Sequence, residues 1–458
     1  MDAFFAAVEE RMNPHYAGKP IAVGGDVKRR GVIAAANYEA RKFGLKAGMN
    51  IGEAKRLCPD VTLVEGNPQK YIHVSLQILE ILKDFTPIVE PFSIDEAFLD
   101  LTDTPRLLGS RWDGYDPSDP DDVLHAAIPC ARAIQRAIDR RTGLSATIGI
   151  GPNKYIAKMA SGVQKPRGLT VLTVEKFRQH FWPLSVQELW GIGEKTRIAL
   201  GRLGIDTVQQ LARFPKEFLT YHFGLNGDSM RNAALGVDDT PVIPYYEGVP
   251  LKSMGHEITL AKDVSSREQL NAVLLRLCDQ VGRRMRQDGY QGRVIALKLR
   301  DSKFQTWTRQ RALGFATADE NQIYRTAMGL LDENWDGRPL RLIGVSMMQI
   351  SNSGEALQPS LFDQDEHKRK MTVAVDSLRD RFGDAALVRA GALDTSERTV
   401  IPWRGARVST HPSSVNGATC GTATSGGPAP AALVDSARGR LARGSALRPP
   451  AMSRNEPP

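Results

Sequence analysis

The run Pro91-Phe92-Ser93-Ile94-Asp95-Glu96-Ala97-Phe98-Leu99-Asp100 sets two adjacent carboxylates inside an otherwise apolar, strand-like stretch. A buried carboxylate is costly unless it is paired or bound to a cation, so acids in such a setting need a reason. Magnesium takes one or two carboxylates plus substrate phosphates, the commonest reason in phosphoryl-transfer chemistry. Neighbours in a regular strand point to opposite faces, so Asp95 and Glu96 serve one site only near a turn or a strong twist. Taken alone, the pair also reads as the solvated tip of a hairpin.

Other residues suited to phosphate are spread along the chain. In Asn37-Tyr38-Glu39-Ala40-Arg41-Lys42-Phe43-Gly44, Tyr38 and Arg41 stand three apart, on one face of a helix. They could offer a phenol and a planar guanidinium fork to a triphosphate, although a surface Tyr–Arg pair is the plainer outcome. Gly149-Ile150-Gly151-Pro152-Asn153-Lys154-Tyr155-Ile156-Ala157-Lys158, followed by Gln164-Lys165-Pro166-Arg167-Gly168, supplies a strand, a turn and a lysine-bearing helix. Helix starts and lysines both suit phosphate, while exposed lysines are ordinarily just solvated. Near the start, Asp2-Ala3-Phe4-Phe5-Ala6-Ala7-Val8-Glu9 joins an early acid to two aromatics, whose bland reading is core packing. Leu189-Trp190-Gly191-Ile192-Gly193-Glu194-Lys195-Thr196, running on to Ile205, reads as a helix-hairpin-helix. Its Gly-Ile-Gly turn exposes backbone N–H groups at a helix start, which suits sequence-blind phosphate contact. Asp206 is expected to cap the next helix, with Gln209 at the capping-box position.

The elements that must position these residues follow from periodicity. Residues 1–106 alternate strands and helices, with short apolar strands at 20–25 and 31–35. A polar Gly/Pro/Asp loop spans 109–122, a long helix is expected from Val123 to about Arg141, and a strand over 145–150. Residues 184–235 are mostly helical. The stretch 238–250 carries three prolines in thirteen residues and reads as a linker. A mixed α/β module follows to about Ile350. Its basic residues are dense between 252 and 311, and alternation over Val294–Arg300 puts Lys298 and Arg300 on one strand face. Apolar residues at Met371, Val375, Leu378 and Phe382 predict a further amphipathic helix over 367–383 that docks on its own chain. Beyond Thr399 the composition collapses into Gly, Ala, Pro, Ser, Thr and Arg, a composition expected to be disordered.

Whole-chain properties narrow the class. A chain of 458 residues implies about three or four domains, and 41% hydrophobic residues excludes wholesale disorder. The net charge of +8 favours a polyanionic partner such as nucleic acid. Cys58, Cys130, Cys278 and Cys420 are scattered without CxxC spacing, which argues for reduced thiols and against a zinc site or disulfide framework. The opening MDAFFAAVEERM has acids where a signal peptide has bases, and no apolar run reaches ~18–20 residues. A soluble, cytoplasmic protein with no membrane partner is expected.

The blocks DAFFAAVE, ANYEARKFG, FSIDEAFLD and GIGPNKYIAKMAS, in this order and roughly at this spacing, resemble the Y-family of DNA polymerases. The resemblance is strongest to the DNA polymerase IV (DinB-type) group and covers about residues 1–350. It implies an α+β multidomain fold, a right-hand polymerase. A ferredoxin-like palm would occupy 1–11 and 69–167, its first strand truncated, with small fingers at 12–68. A helical helix-hairpin-helix thumb would span 168–237, a linker 238–250 and an α/β little finger 251–352. A clamp-binding motif and a helix would lie in 353–398, and a disordered tail in 399–458.

The activity so implied is error-prone, template-directed translesion DNA synthesis. A primer 3′-hydroxyl would attack the α-phosphate of a dNTP, with two magnesium ions per active site. No segment remains large enough for a proofreading exonuclease. Asp95 and Glu96 would be the catalytic, metal-binding acids, and Phe5 the steric gate against a ribose 2′-hydroxyl. Tyr38, Arg41 and Lys165 would contact the triphosphate, with Lys158 a further candidate. Gly191, Gly193 and Lys195 of the thumb, and Lys298 and Arg300 of the little finger, would contact primer–template DNA. Gln358-Pro359-Ser360-Leu361-Phe362-Asp363 resembles the bacterial sliding-clamp peptide QxxLF, so Gln358, Leu361 and Phe362 would bind the clamp's β subunit, and the polymerase is expected to be a monomer.

One departure from the pattern stands out. The family's first metal-binding aspartate lies two positions before the acid matching Asp2, which here falls immediately before Met1. Asp2 is not its equivalent. Two expectations follow: a start assigned too late in an active enzyme, or, with Met1 the true start, a catalytically impaired relative that acts as a clamp-bound scaffold.

Overall fold

The computed structural model describes residues 1–25, 30–102, 119–248, 250–352, 366–384 and 386–392. The expected clamp peptide at 358–363, most of the 109–122 loop and the 399–458 tail lie outside the described residues.

Three helices build the first core. Phe4–Met12 contributes Phe4 and Val8, Pro68–Lys83 contributes Tyr71, Ile78, Leu79 and Leu82, and Ile128–Thr142 contributes Ile134 and Ile138. The spacing of these residues is the stripe a half-buried helix needs, and each fully buried large side chain contributes ~1.5–3 kcal/mol. Asn67 starts the middle helix by accepting from Lys70 N–H, with Pro68 in the first turn, where its missing N–H costs nothing. Against these helices lie the antiparallel hairpin β4 (Val89–Pro91) and β5 (Ala97–Leu99), and the parallel pair β6 (Ile148–Ile150) and β7 (Leu169–Val171).

The single long helix expected over 123–141 is two helices, Pro120–Ala126 and Ile128–Thr142. Pro129 is the cause: it has no N–H for the carbonyl at 125, and its ring crowds that carbonyl. The strand expected over 145–150 is confined to Ile148–Ile150. The hydroxyls of Ser145 and Thr147, before it, donate instead to Asp2.

A small three-stranded sheet, β2 (Ile33–Ala36), β1 (Ile21–Gly24) and β3 (Thr62–Glu65) in that order, has its own core around Ala22, Ile33, Leu45 and Ala54. Tyr38–Lys42, capped by the Asn37 side chain, follows β2 directly. A third core, with Ile156, Phe177, Leu200, Leu211 and Leu219, joins the helix Lys154–Val163 to the helical segment that follows. There the predicted cap shifts by one residue. Thr207 caps Val208–Arg213, and the Gln210 side chain accepts from Thr207 N–H at 2.9 Å, completing a capping box one residue later than expected.

The module 253–352 is a four-stranded antiparallel sheet in the order β10 (Thr306–Thr317), β9 (Tyr290–Asp301), β11 (Leu340–Asn352) and β8 (Ser253–Val264). Helices Arg267–Gln287 and Glu320–Asn334 share its core with Ile295, Leu297 and Leu299. The predicted C-terminal helix forms over Glu366–Phe382, but it docks by a face beside the expected stripe, of which only Val375 is half-buried. Asp376 and Asp380 pair with Arg286 and Arg283 at 2.7 and 3.0 Å, while Met371, Leu378 and Phe382 stay exposed. The facing helix offers arginines at that height, so charge fixes the contact.

Candidate active site

Asp95 and Glu96 sit at the turn between β4 and β5, the condition under which neighbouring side chains reach one site. Phe92 and Ser93 N–H both donate to the Glu96 carbonyl, at 2.9 and 3.1 Å, closing the turn. Ser93 Oγ donates to Asp95 Oδ1 at 2.8 Å. Both acids line one cavity of about 510 Å³, together with Met1, Thr147, Ser161, Lys158 and Lys165. Glu96 is ion-paired with Lys158, and the Met1 nitrogen donates to the Asp95 carbonyl at 2.7 Å.

Lys158 reaches the acids because its helix lies hard against β6. A side chain at Gly149 would place its Cβ 2.1 Å from the Ala157 carbonyl oxygen, so only glycine allows this approach. Lys154, one turn earlier, is engaged elsewhere: its Nζ donates to both Glu90 oxygens at 2.7 and 2.9 Å and to the Pro241 carbonyl at 3.1 Å. Lys165 enters on the following loop.

Phe5, Tyr38 and Arg41 do not line this cavity. The Phe5 ring stacks on Tyr71, with centroids 4.5 Å apart and planes 18° apart. Tyr71 hydroxyl donates to Glu9 at 2.6 Å, and Lys70 donates to the other Glu9 oxygen at 2.7 Å. Burial, then Glu9, pushes the Tyr71 phenol well above its ordinary value, so it stays a donor. Tyr38 and Arg41 do meet, with the guanidinium 4.9 Å from the ring centroid, and Arg41 Nε is fixed by the Ala36 carbonyl at 2.9 Å. Among the described residues the buried Tyr38 hydroxyl has no hydrogen-bond partner. Burial and Asp2 raise its pKa against the pull of Arg41, leaving a protonated donor that lacks an acceptor.

Among the described residues no group of three or more His, Cys, Asp and Glu converges on a metal position. Two adjacent carboxylates facing a lysine-lined cavity fit a divalent cation whose remaining ligands are phosphate and water oxygens; they do not make an all-protein cage. Gly191, at φ +95°, and Gly193 lead into the helix Glu194–Gly201, whose first turn receives no side-chain cap, and Lys195 is exposed beside it. Lys298 pairs with Glu257 at 2.6 Å, and Arg300 Nε donates to Thr306 at 2.7 Å.

Sequence reasoning missed the residues that hold neighbouring groups in place, namely Tyr71, Glu9 and Glu90. Their partners stand tens of residues away in the chain, and no local pattern marks them.

Residues 1–162 match the sequence model of the impB/mucB/samB family, and residues 251–361 match that of its C-terminal domain. DNA polymerase IV of Pelotomaculum thermopropionicum is 39% identical over 396 residues, covering 86% of this chain and 94% of that protein. DNA polymerase IV 2 of Bacillus subtilis is 35% identical over 402 residues, covering 86% and 93%. Among solved structures, a Y-family DNA polymerase chimera, Dbh-Dpo4(243-245)-Dbh, superposes with a TM-score of 0.64 at 26% identity, covering 76% of this chain and 97% of its own. The chain belongs to the impB/mucB/samB family, in the DNA polymerase IV group of the Y-family. Its enzyme class is DNA-directed DNA polymerase, and its fold is that of a right-hand polymerase.

Proposed function

We propose that the chain extends primers past damaged template by nucleotidyl transfer at the cavity of Asp95 and Glu96, without proofreading. The observation that carries this reading is the meeting of both acids, Lys158 and Lys165 around one cavity at a hairpin turn. Asp95 and Glu96 would hold two magnesium ions, which supply charge stabilisation to the attacking and leaving oxygens. Lys158 now compensates Glu96; with a cation there it becomes free for phosphate. Lys165, Arg41 and the unpartnered Tyr38 hydroxyl bind the triphosphate, and Phe5, backed by Tyr71, excludes a 2′-hydroxyl.

In this reading 1–11 and 69–167 are the palm, 12–68 the fingers, 168–237 the thumb, 238–250 the linker and 251–352 the little finger. Gly191, Gly193, Lys195, Lys298 and Arg300 grip the DNA backbone. Gln358, Leu361 and Phe362 tether a monomeric enzyme to the sliding clamp in the cytoplasm. Among the described residues no helix is long and apolar enough to cross a membrane.

Magnesium-dependent primer extension tests the proposal. Asp95→Ala or Glu96→Ala lowers the rate more than about 100-fold, beyond the loss typical of residues that only support a metal's ligands. Unchanged extension in either variant overturns the assignment.

A further inference from the structure

We propose that Asp2 and Gln135 are positioning residues that fix the loop 164–168 so that Lys165 meets the triphosphate of the incoming nucleotide. This deepens the reading above and rests on its assignment of Lys165.

The side chains of the loop do little packing, since Gln164, Lys165, Pro166 and Arg167 are all exposed. What holds it is its backbone. Asp2 is 2% exposed, and its Oδ2 accepts from Arg167 N–H at 3.0 Å and from Ser145 Oγ at 2.9 Å. Its Oδ1 accepts from Thr147 Oγ1 at 2.7 Å. Gln135, on the helix Ile128–Thr142, donates through Nε2 to the carbonyls of Gly168 and Ala146, each at 2.9 Å. The loop is also closed on itself: a Cβ at Gly168 would lie 1.7 Å from the Gln164 carbonyl oxygen, and Arg167 stands at φ +59°.

Such a carboxylate is expensive to bury, and three donors offset the cost without any lysine or arginine pairing. The bonds therefore lock three remote segments (the start of the first helix, the residues leading into β6, and the 164–168 loop) while none of them uses the Lys165 amine. Lys165 is left on the cavity wall shared with Asp95 and Glu96. A lysine on an ordered loop gives up less freedom when it meets a phosphate than one on a loose loop.

The test is the equilibrium affinity for a correct dNTP, with magnesium, on primer–template ended by a dideoxynucleotide, so that no turnover is needed. Lys165→Ala, Asp2→Asn and Gln135→Met each weaken dNTP binding about tenfold, and in the Lys165→Ala background Asp2→Asn adds less than about twofold, since coupled residues are not additive. Asp2→Asn also speeds hydrogen exchange at the Arg167 amide. If Asp2→Asn leaves the affinity unchanged, or its effect multiplies with that of Lys165→Ala, the inference falls while the role of Lys165 stands. If Lys165→Ala itself has no effect, the underlying triphosphate assignment fails first. Should thermal unfolding show that Asp2→Asn does not fold, Gln135→Met replaces it in the same cycle: less than about twofold on top of Lys165→Ala supports the inference, and a full multiplicative loss overturns it.

Discussion

Phe5 gains its rigidity from what stands behind it. The stacked Tyr71 ring is pinned through its hydroxyl to Glu9, so the Phe5 face is held against a fully buried neighbour. Phe5→Val removes that face, and ribonucleotide incorporation relative to deoxynucleotide should rise about 10–100-fold, the range by which apolar pockets discriminate small groups. Paired incorporation assays with dNTP and rNTP measure it. Asp2 behaves differently. Burial alone would raise its pKa, but bonds from Thr147, Arg167 N–H and Ser145 outweigh burial and leave the carboxyl below its ordinary value. A depressed carboxyl stabilises the fold fully above its unfolded pKa and loses that contribution as pH falls through the folded one. The stability gap between the chain and Asp2→Asn, read from urea midpoints, should thus stay constant from about pH 8 to 5 and shrink below about pH 4.

Asp95, Glu96 and the Tyr38–Arg41 pair were legible as residues, because their chemistry is local in sequence. The role of Asp2 was not: its three donors come from 145, 147 and 167, and only folding brings them together.

Elements carry the next constraint. The helix Lys154–Val163 presents Lys158 only because β6 offers no side chain at Gly149. Gly149→Ala forces an overlap with the Ala157 carbonyl and should cost about 1–3 kcal/mol of stability by chemical denaturation, as overpacking does, along with a loss of primer extension. A variant as stable as the parent would show that the helix shifts freely. At this scale the turn at Asp95 and Glu96 was foreseeable, since two adjacent acids in a regular strand point to opposite faces. The break at Ala127 and the cap at Thr207 depend on one proline and on a one-residue register, which periodicity does not resolve. The C-terminal helix shows the limit most plainly. Its apolar spacing suggested a buried stripe, yet ion pairs with Arg283 and Arg286 decide which face docks.

For the whole molecule, the excess of eight positive charges is the long-range attraction that draws a polymerase onto DNA. Binding to primer–template should weaken steeply with salt. Lys195→Ala should lower the salt slope by about one, the loss expected of one phosphate contact. Lys298→Ala should lower it less, because Glu257 already neutralises Lys298 at 2.6 Å. Equal effects in a salt titration would mean that the Lys298–Glu257 pair opens on DNA. The separation of Phe5, Tyr38 and Arg41 from the cavity of the acids could not be read from the sequence.

That separation makes a structure of the ternary complex, with dideoxy-ended primer, matched dNTP and magnesium, the most direct test. Magnesium should stand about 2.0–2.1 Å from oxygens of Asp95 and Glu96, with the triphosphate between that metal and the groups of Lys165, Tyr38 and Arg41. A nucleotide bound away from Tyr38 and Arg41, or magnesium touching neither carboxylate, would contradict the assignment of this cavity as the polymerase centre.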